Sequence, residues 1–309
     1  MSRFAFFQGE IVPMEQAVVS VSNHTFNYGT GCFGGIRAYW NAEEQELFIF
    51  RPKDHFTRFL NSCKLLLINL PYSVEQLVDI AGQLLRREAY REDAYLRPIG
   101  YKDVGGIGVK LHDLKGQVTI WTTPIGSYVH NEERTRVMVS SWRRVPDAAI
   151  PPRGKIIGAY VNSALAKSEA ILSGYDEAIC LTDSGHVSEG SAANIFILRG
   201  GKWYTPPVTD DVLEGITRST VMQLLRDVLG FEVMERSLDR SELYLADEIF
   251  FCGTGVQVAS ITEVDRRPVG DGNMGKVTNQ LRDLYFRVVR GREPKYRSWC
   301  LPVYAGMRA

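Results

Sequence analysis

Segments with a two-residue apolar period and segments with a helical period do not take turns along this chain. That order constrains the fold more than any single motif. Strict strand–helix alternation would predict a doubly wound parallel sheet; its absence points to an α+β, or mixed α/β, architecture. Short strands are expected at 4–7 and 10–12, flanking a Gln8-Gly9 turn, and again at 17–21 and 47–50. Asp54 is placed to cap a helix carrying Phe56, Phe59, Leu60, Cys63 and Leu67 at helical spacing. Ser73 and Gln76 form a capping box ahead of a second helix through Leu77, Ile80, Ala81, Leu84 and Leu85. Residues 94–102 alternate as a strand, which puts Tyr95, Arg97, Ile99 and Tyr101 on one face.

A further strand is expected at 118–122, and then the periodicity lapses. Residues 124–136 hold Gly126, Ser127, Asn131 and charges without a clear period, and read as a linker. Beyond it come a strand at 137–142, a Pro-rich loop at 146–152 and a helix at 162–172 stopped by Gly174. Strands at 177–182, 187–188 and 194–199 are separated by turn residues Asp183-Ser184-Gly185. A helix at 216–229, strands at 247–252 and 258–264, and a closing helix at 276–289 complete the pattern. A chain of 309 residues, 45% hydrophobic, exceeds what one core usually absorbs. The expected division is 1–123, a linker at 124–136, and 137–309.

Net charge is zero, with no dense basic run, so a nucleic-acid partner is not expected and the ligand should be a small molecule. The five cysteines are scattered and form no C-x-x-C pair, which fits neither a disulfide framework nor a zinc site and indicates a reducing cytoplasm. Five separated histidines argue against a metal centre or a His-based triad. No apolar run approaches the roughly 18 residues of a membrane span.

Four stretches carry chemistry. Lys155 sits between Pro151-Pro152-Arg153-Gly154 and Ile156-Ile157-Gly158-Ala159-Tyr160. An apolar setting favours the neutral amine, the form that attacks an aldehyde to make a Schiff base; a lysine snorkelling off a loop is the plain alternative. Ser188-Glu189-Gly190-Ser191-Ala192-Ala193-Asn194 holds one carboxylate among small residues, suited to a flat heteroaromatic ring and its protonated nitrogen, or to an ordinary surface turn. Leu213-Glu214-Gly215-Ile216-Thr217-Arg218 opens a helix whose free amides favour phosphate. Cys252-Gly253-Thr254-Gly255 ends a strand in a small-residue loop with the same capacity. A helix cap and a tight turn are the alternatives for these two.

Together these stretches occur in an order that resembles the branched-chain aminotransferases. The resemblance rests on Asn27-Tyr28-Gly29-Thr30, Phe33 with Gly35-Ile36-Arg37-Ala38-Tyr39, Tyr95-Leu96-Arg97-Pro98, Ser140-Ser141-Trp142, Lys155 with Tyr160, the run 188–196, Gly215-Ile216-Thr217-Arg218, the run 243–249 and Gly253-Thr254. It covers nearly the whole chain. It implies the fold-type IV class of pyridoxal 5′-phosphate (PLP) enzymes: a small N-terminal α/β domain, a larger C-terminal domain with a pseudo-barrel β core, the cofactor between them, and a homodimer or higher assembly. It also implies roles. Lys155 would carry the cofactor and then move the substrate proton. Glu189 would face the ring nitrogen, Tyr160 the phenolic oxygen, and Leu213 the ring. Arg58, Ile216, Thr217 and Thr254 would hold the phosphate. Tyr28, Phe33, Tyr95 and Tyr128 would wall an apolar pocket for Leu, Ile or Val. Arg97 would receive the distal carboxylate of glutamate, and amides near Thr254 and Gly255 the α-carboxylate.

Position 34 is Gly where the family usually has Glu, which is expected to add room beside the pocket. A D-amino-acid or (R)-amine transaminase, or a lyase of the same fold, is the alternative within the superfamily. The C-x-x-C of some mammalian relatives is absent, so no thiol switch of that kind is expected.

Overall fold

A computed structural model describes residues 3–126 and 131–305. The chain divides into two compact units. One takes Met1–Gly126, Gly154–Gly158 and Arg287–Ala309; the other takes Ser127–Arg153 and Ala159–Phe286.

The first unit holds β1 (Phe4–Phe7), β2 (Glu10–Pro13), α1 (His24–Tyr28), β3 (Cys32–Phe33), β4 (Ile36–Asn41), β5 (Glu46–Phe50), α2 (Pro52–Leu65), α3 (Val74–Glu88), β6 (Ala94–Lys102) and β7 (Gly116–Pro124). In the second lie β8 (Thr135–Arg143), α4 (Tyr160–Leu172), β9 (Glu177–Leu181), β10 (Val187–Gly190), β11 (Asn194–Arg199), β12 (Lys202–Thr205), α5 (Ile216–Asp227), β13 (Val233–Glu235), β14 (Glu248–Gly253), β15 (Gln257–Val264) and β16 (Arg267–Pro268). α6 (Lys276–Val289) leads back to the first unit, which β17 (Cys300–Pro302) completes.

The first sheet runs β17-β5-β4-β6-β7-β1-β2, with β3 paired to β6, and its ladders are antiparallel. The alternation of β6 works as its sequence predicts: Ala94, Leu96 and Pro98 are buried, while Tyr95, Arg97 and Ile99 point the other way and are half-buried. Helices α2 and α3 supply Phe56, Phe59, Leu77, Ala81, Leu84 and Leu85 to one core with Phe6, Ile36, Leu47, Ile49 and Leu96. Each large side chain so buried contributes about 1.5–3 kcal/mol. The capping box forms in full: Ser73 Oγ accepts from Gln76 N–H at 3.2 Å, and Gln76 Oε1 from Ser73 N–H at 2.8 Å.

Two local expectations are corrected. Asp54 does not cap α2, which begins two residues earlier because Pro52 takes the first helical position; Asp54 instead pairs with Arg51 at 2.8 Å. Residues 17–21 form no strand. Ala17 and Val18 spend their N–H groups on the preceding turn, on Met14 O and Gln16 O, and Val18, Val19 and Val21 are exposed.

The second sheet runs β10-β9-β8-β15-β14-β11-β12-β13, with β16 on β15. It mixes antiparallel ladders with parallel ones at β8–β9, β8–β15 and β12–β13. Its core gathers Val137, Ile179, Val187, Ile195, Ile197, Leu243, Ile249, Phe251 and Ile261.

Candidate active site

Lys155 is carried on a strap laid along the first sheet. Phe33 N–H donates to Lys155 O at 2.9 Å, Ile157 N–H to Gly31 O at 2.8 Å and Gly158 N–H to Gly29 O at 3.1 Å, and Ile156 bridges Cys32. The strap lies this close because Gly29 has no side chain: a Cβ there would stand 2.9 Å from Gly158 Cα. Gly29 also ends α1 in the left-handed conformation, which glycine adopts without strain.

On its other flank the strap meets α2. Ser62 Oγ accepts from Lys155 N–H at 3.1 Å and donates to Arg58 O at 2.9 Å, which links Lys155 to the helix bearing Arg58. His55 lies one turn before Arg58 and is fully buried. Burial first, then the charges of Arg58, Arg51 and Lys155, hold its imidazole well below the ordinary value of 6.5. A neutral imidazole therefore accompanies these cations. Neither Ser62 nor His55 was singled out from the sequence, although their spacing from Arg58 on one helix face was there to read.

The Lys155 amine lies 5.2 Å from the centre of the Phe33 ring. Arg97 lies 4.4 Å from the same ring, 5.1 Å from that of Tyr95 and 6.0 Å from that of Trp121. Its Nε donates to Tyr95 Oη at 3.2 Å. Lys155, Phe33, Tyr95 and Arg97 are thus neighbours, and Trp121 joins them because it pairs directly with Arg97 across the β6–β7 ladder. Trp121 escaped the sequence reading, since only the register reveals it. Tyr28 lies on α1, half-exposed, and its hydroxyl accepts from Gly108 N–H at 3.1 Å. Tyr128 falls outside the described residues. Gly34 adds no room: a Cβ there would stand 2.6 Å from Pro98 Cγ, so the proline ring already fills the space.

In the second unit Glu189 lies on β10 and is 3% exposed. Oε2 accepts from Asn194 Nδ2 at 3.0 Å and from Leu213 N–H at 3.2 Å. Oε1 meets Arg144 Nη2 at 2.6 Å, and Arg144 is itself steadied by Ser163 Oγ at 3.1 Å. A carboxylate this buried is sustained by charge pairing and hydrogen bonds together. Asn194 also donates to Leu213 O at 3.0 Å, which ties the loop before α5 to β11.

Ile216 and Thr217 open α5, whose N-cap residue is Gly215 and so brings no capping side chain of its own. Gly215 precedes it because an added Cβ would collide with Asn194 Oδ1. Thr254 and Gly255 form the turn joining β14 to β15, and Tyr160 is the first residue of α4. The residue types suit PLP: a buried anion for a pyridinium, the start of a twelve-residue helix for phosphate, and a lysine beside an aromatic ring.

The family profile described as "Amino-transferase class IV" matches residues 31–264. The chain belongs to the class IV aminotransferases. Among members of that family it is 48% identical to the probable branched-chain-amino-acid aminotransferase of Aquifex aeolicus (strain VF5) over 301 residues, 97% of each chain. The branched-chain aminotransferase of Thermoproteus uzoniensis, solved with norvaline, superposes with a TM-score of 0.94 at 42% identity, covering 98% of this chain and 100% of that one. The branched-chain amino acid aminotransferase of Thermobaculum terrenum, solved in its PLP form, gives a TM-score of 0.93 at 38% identity, over 98% of each chain. The fold-type IV architecture implied by the resemblance is therefore the one this class IV aminotransferase has.

Proposed function

We propose that this enzyme transfers the amino group of the branched-chain L-amino acids Leu, Ile and Val to 2-oxoglutarate, yielding branched 2-oxo acids and L-glutamate, with PLP as cofactor. The observation that carries the reading is Arg97 set against three aromatic rings beside the Lys155 amine. An apolar side chain packs on Phe33, Tyr95 and Trp121 while the guanidinium stays satisfied on their faces. A glutamate side chain instead draws on the same guanidinium for its distal carboxylate. The relatives of this name support the assignment.

PLP, when bound, supplies an electrophilic aldehyde and a ring that withdraws electrons from the reacting carbon. Lys155 Nζ would hold that aldehyde and serve as the base for the amino acid's Cα proton. Glu189, backed by Arg144 and Asn194, would accept a hydrogen bond from the ring N–H. Tyr160 would donate to the phenolic oxygen, and Leu213 would pack on the ring. Arg58, Ile216, Thr217 and Thr254 would hold the phosphate. Amides at Thr254 and Gly255 would take the α-carboxylate.

A panel of amino donors with 2-oxoglutarate, followed by glutamate release, tests the reading. L-Leucine, L-isoleucine and L-valine should turn over, and Lys155→Ala should abolish both turnover and the borohydride-reducible visible band. Turnover of D-alanine without L-leucine, or activity in Lys155→Ala, would overturn it.

The enzyme works in the cytoplasm as a homodimer or higher assembly. All five cysteines are free and buried, as suits a reducing compartment. Phe26 and Val21 of the first unit are 71% and 81% exposed, and Val18, Val19, Ile107 and Val109 are exposed as well. A second copy covering them removes that apolar surface from water. Light scattering should report at least a dimer, and Phe26→Asp should shift it toward monomer; a monomeric wild type would refute the assembly.

A further inference from the structure

Cys32 and Cys63 have no part in the chemistry assigned above, yet their sulfurs touch. The Sγ atoms are 3.3 Å apart, and the residues are 0% and 1% exposed. One sits on β3, the other in the last turn of α2, thirty-one positions further along the chain. The contact depends on a third residue. Gly100 pairs with Cys32 in the β3–β6 ladder, and a Cβ there would stand 2.7 Å from Cys63 Sγ and 3.3 Å from Cys32 Sγ. The missing side chain is the space in which the thiols meet.

Both cysteines also adjoin the supports of the Lys155 strap. Phe33, next after Cys32, donates its N–H to Lys155 O; Ser62, just before Cys63, accepts the Lys155 N–H. Cys32 itself bridges Ile156.

We propose that Cys32 and Cys63 form an oxidation site: a hydroperoxide converts the dithiol to an intramolecular disulfide that staples β3 to α2 beside the Lys155 strap. Two S–H bonds and the peroxide O–O bond break, and one S–S bond forms. The sulfurs give up two electrons; the peroxide takes them and leaves as two waters, or as water and an alcohol, with the two thiol protons. A disulfide is about 2.05 Å long, so the sulfurs must approach by roughly 1.3 Å. Contact already brings the second thiol to the sulfur that reacts first, so cross-linking outruns further oxidation.

The resting form is the dithiol. The hydrogen bond shared with Cys32, and then burial, push the Cys63 thiol far above its ordinary value. Little thiolate is therefore present at neutral pH, and closure is slow, answering sustained oxidant. Cys180 and Cys300, buried and with thiols pushed up to about 12, serve as internal controls.

The test is hydrogen peroxide treatment of the holoenzyme, then unfolding in an alkylating agent and peptide mapping without reductant. Thiols per chain should fall from five to three, with Cys32 and Cys63 in one cross-linked peptide. Closing a loop of this size should raise Tm by about 5 °C. Dithiothreitol should reverse the rise, and both Cys63→Ser and Cys32→Ala should lack it. Five titratable thiols after treatment, a cross-link between chains, or sulfinic acid on one cysteine alone would overturn the proposal. The mapping needs no variant and does not rest on the transaminase reading.

Discussion

In the proposed role of ring partner, Glu189 must remain a charged acceptor. Arg144 contributes to that through the 2.6 Å contact to Oε1, with both side chains nearly buried. Arg144→Met leaves the carboxylate with Asn194 and Leu213 N–H. A charge-assisted hydrogen bond of this kind contributes roughly 1.5–3 kcal/mol, so kcat should fall about 10- to 100-fold if that interaction strengthens in the transition state. Steady-state kinetics should show the loss in kcat with little change in the KM for L-leucine, and Arg144→Lys should recover part of it. A raised KM at unchanged kcat would assign Arg144 to substrate binding instead. Lys155 and Glu189 stand out in the sequence as candidates because each lies in a compact stretch of unusual composition. Arg144 was not: forty-five positions separate it from Glu189, and only the neighbouring strands β8, β9 and β10 bring the two together.

Among the elements, α5 begins at a glycine whose role is steric. Gly215 has φ −71° and ψ 133°, values any residue adopts, so the glycine is not there for backbone freedom. Its Cβ would run into Asn194 Oδ1, and Asn194 joins Glu189 to Leu213 O. Gly215→Ala should therefore disturb the proposed ring partner and the proposed phosphate end at once. The expected outcome is PLP affinity lower by at least about 10-fold, as for roughly 1.4 kcal/mol, with far-ultraviolet circular dichroism unchanged. Fluorescence titration of the apoenzyme with PLP measures it, and unaltered affinity would show that Asn194 can step aside. Helices α2 and α3 and the facing of β6 were readable because their signals are local: apolar period, a capping box, alternation. Segments whose partners lie far along the chain misled. Val18, Val19 and Val21 look like a strand, but none of them has a ladder, whereas Cys32–Phe33 and Ile36–Asn41 pair well within a glycine-rich run that hides their period.

For the molecule as a whole, the chain's end is what closes its beginning. β17 pairs antiparallel with β5, in register from Cys300 with Phe50 to Pro302 with Phe48, and so covers one edge of the first sheet. Just beyond it, Val303 and Tyr304 donate their N–H groups to Glu46 Oε1 at 3.0 and 2.7 Å, and Tyr304 Oη donates to Tyr90 O at 2.7 Å. Glu46 is buried, so its charge leans on those donors. The closing helix was evident from its apolar period, but nothing in a three-residue strand announces where it will land. Deleting 300–309 exposes an edge strand and strips two N–H donors from a buried carboxylate. At roughly 1.5–3 kcal/mol per hydrogen bond to a charged group, the loss is several kcal/mol, a fall in Tm of about 10 °C for a chain of this size. The damage should begin in the first unit, with proteolysis cutting near β5 and α2 before it reaches β14 or β15. Differential scanning calorimetry and timed proteolysis of the full and shortened chains decide the matter. An unchanged Tm would mean that the first sheet holds without its last strand, and that the returning tail is ornament rather than closure.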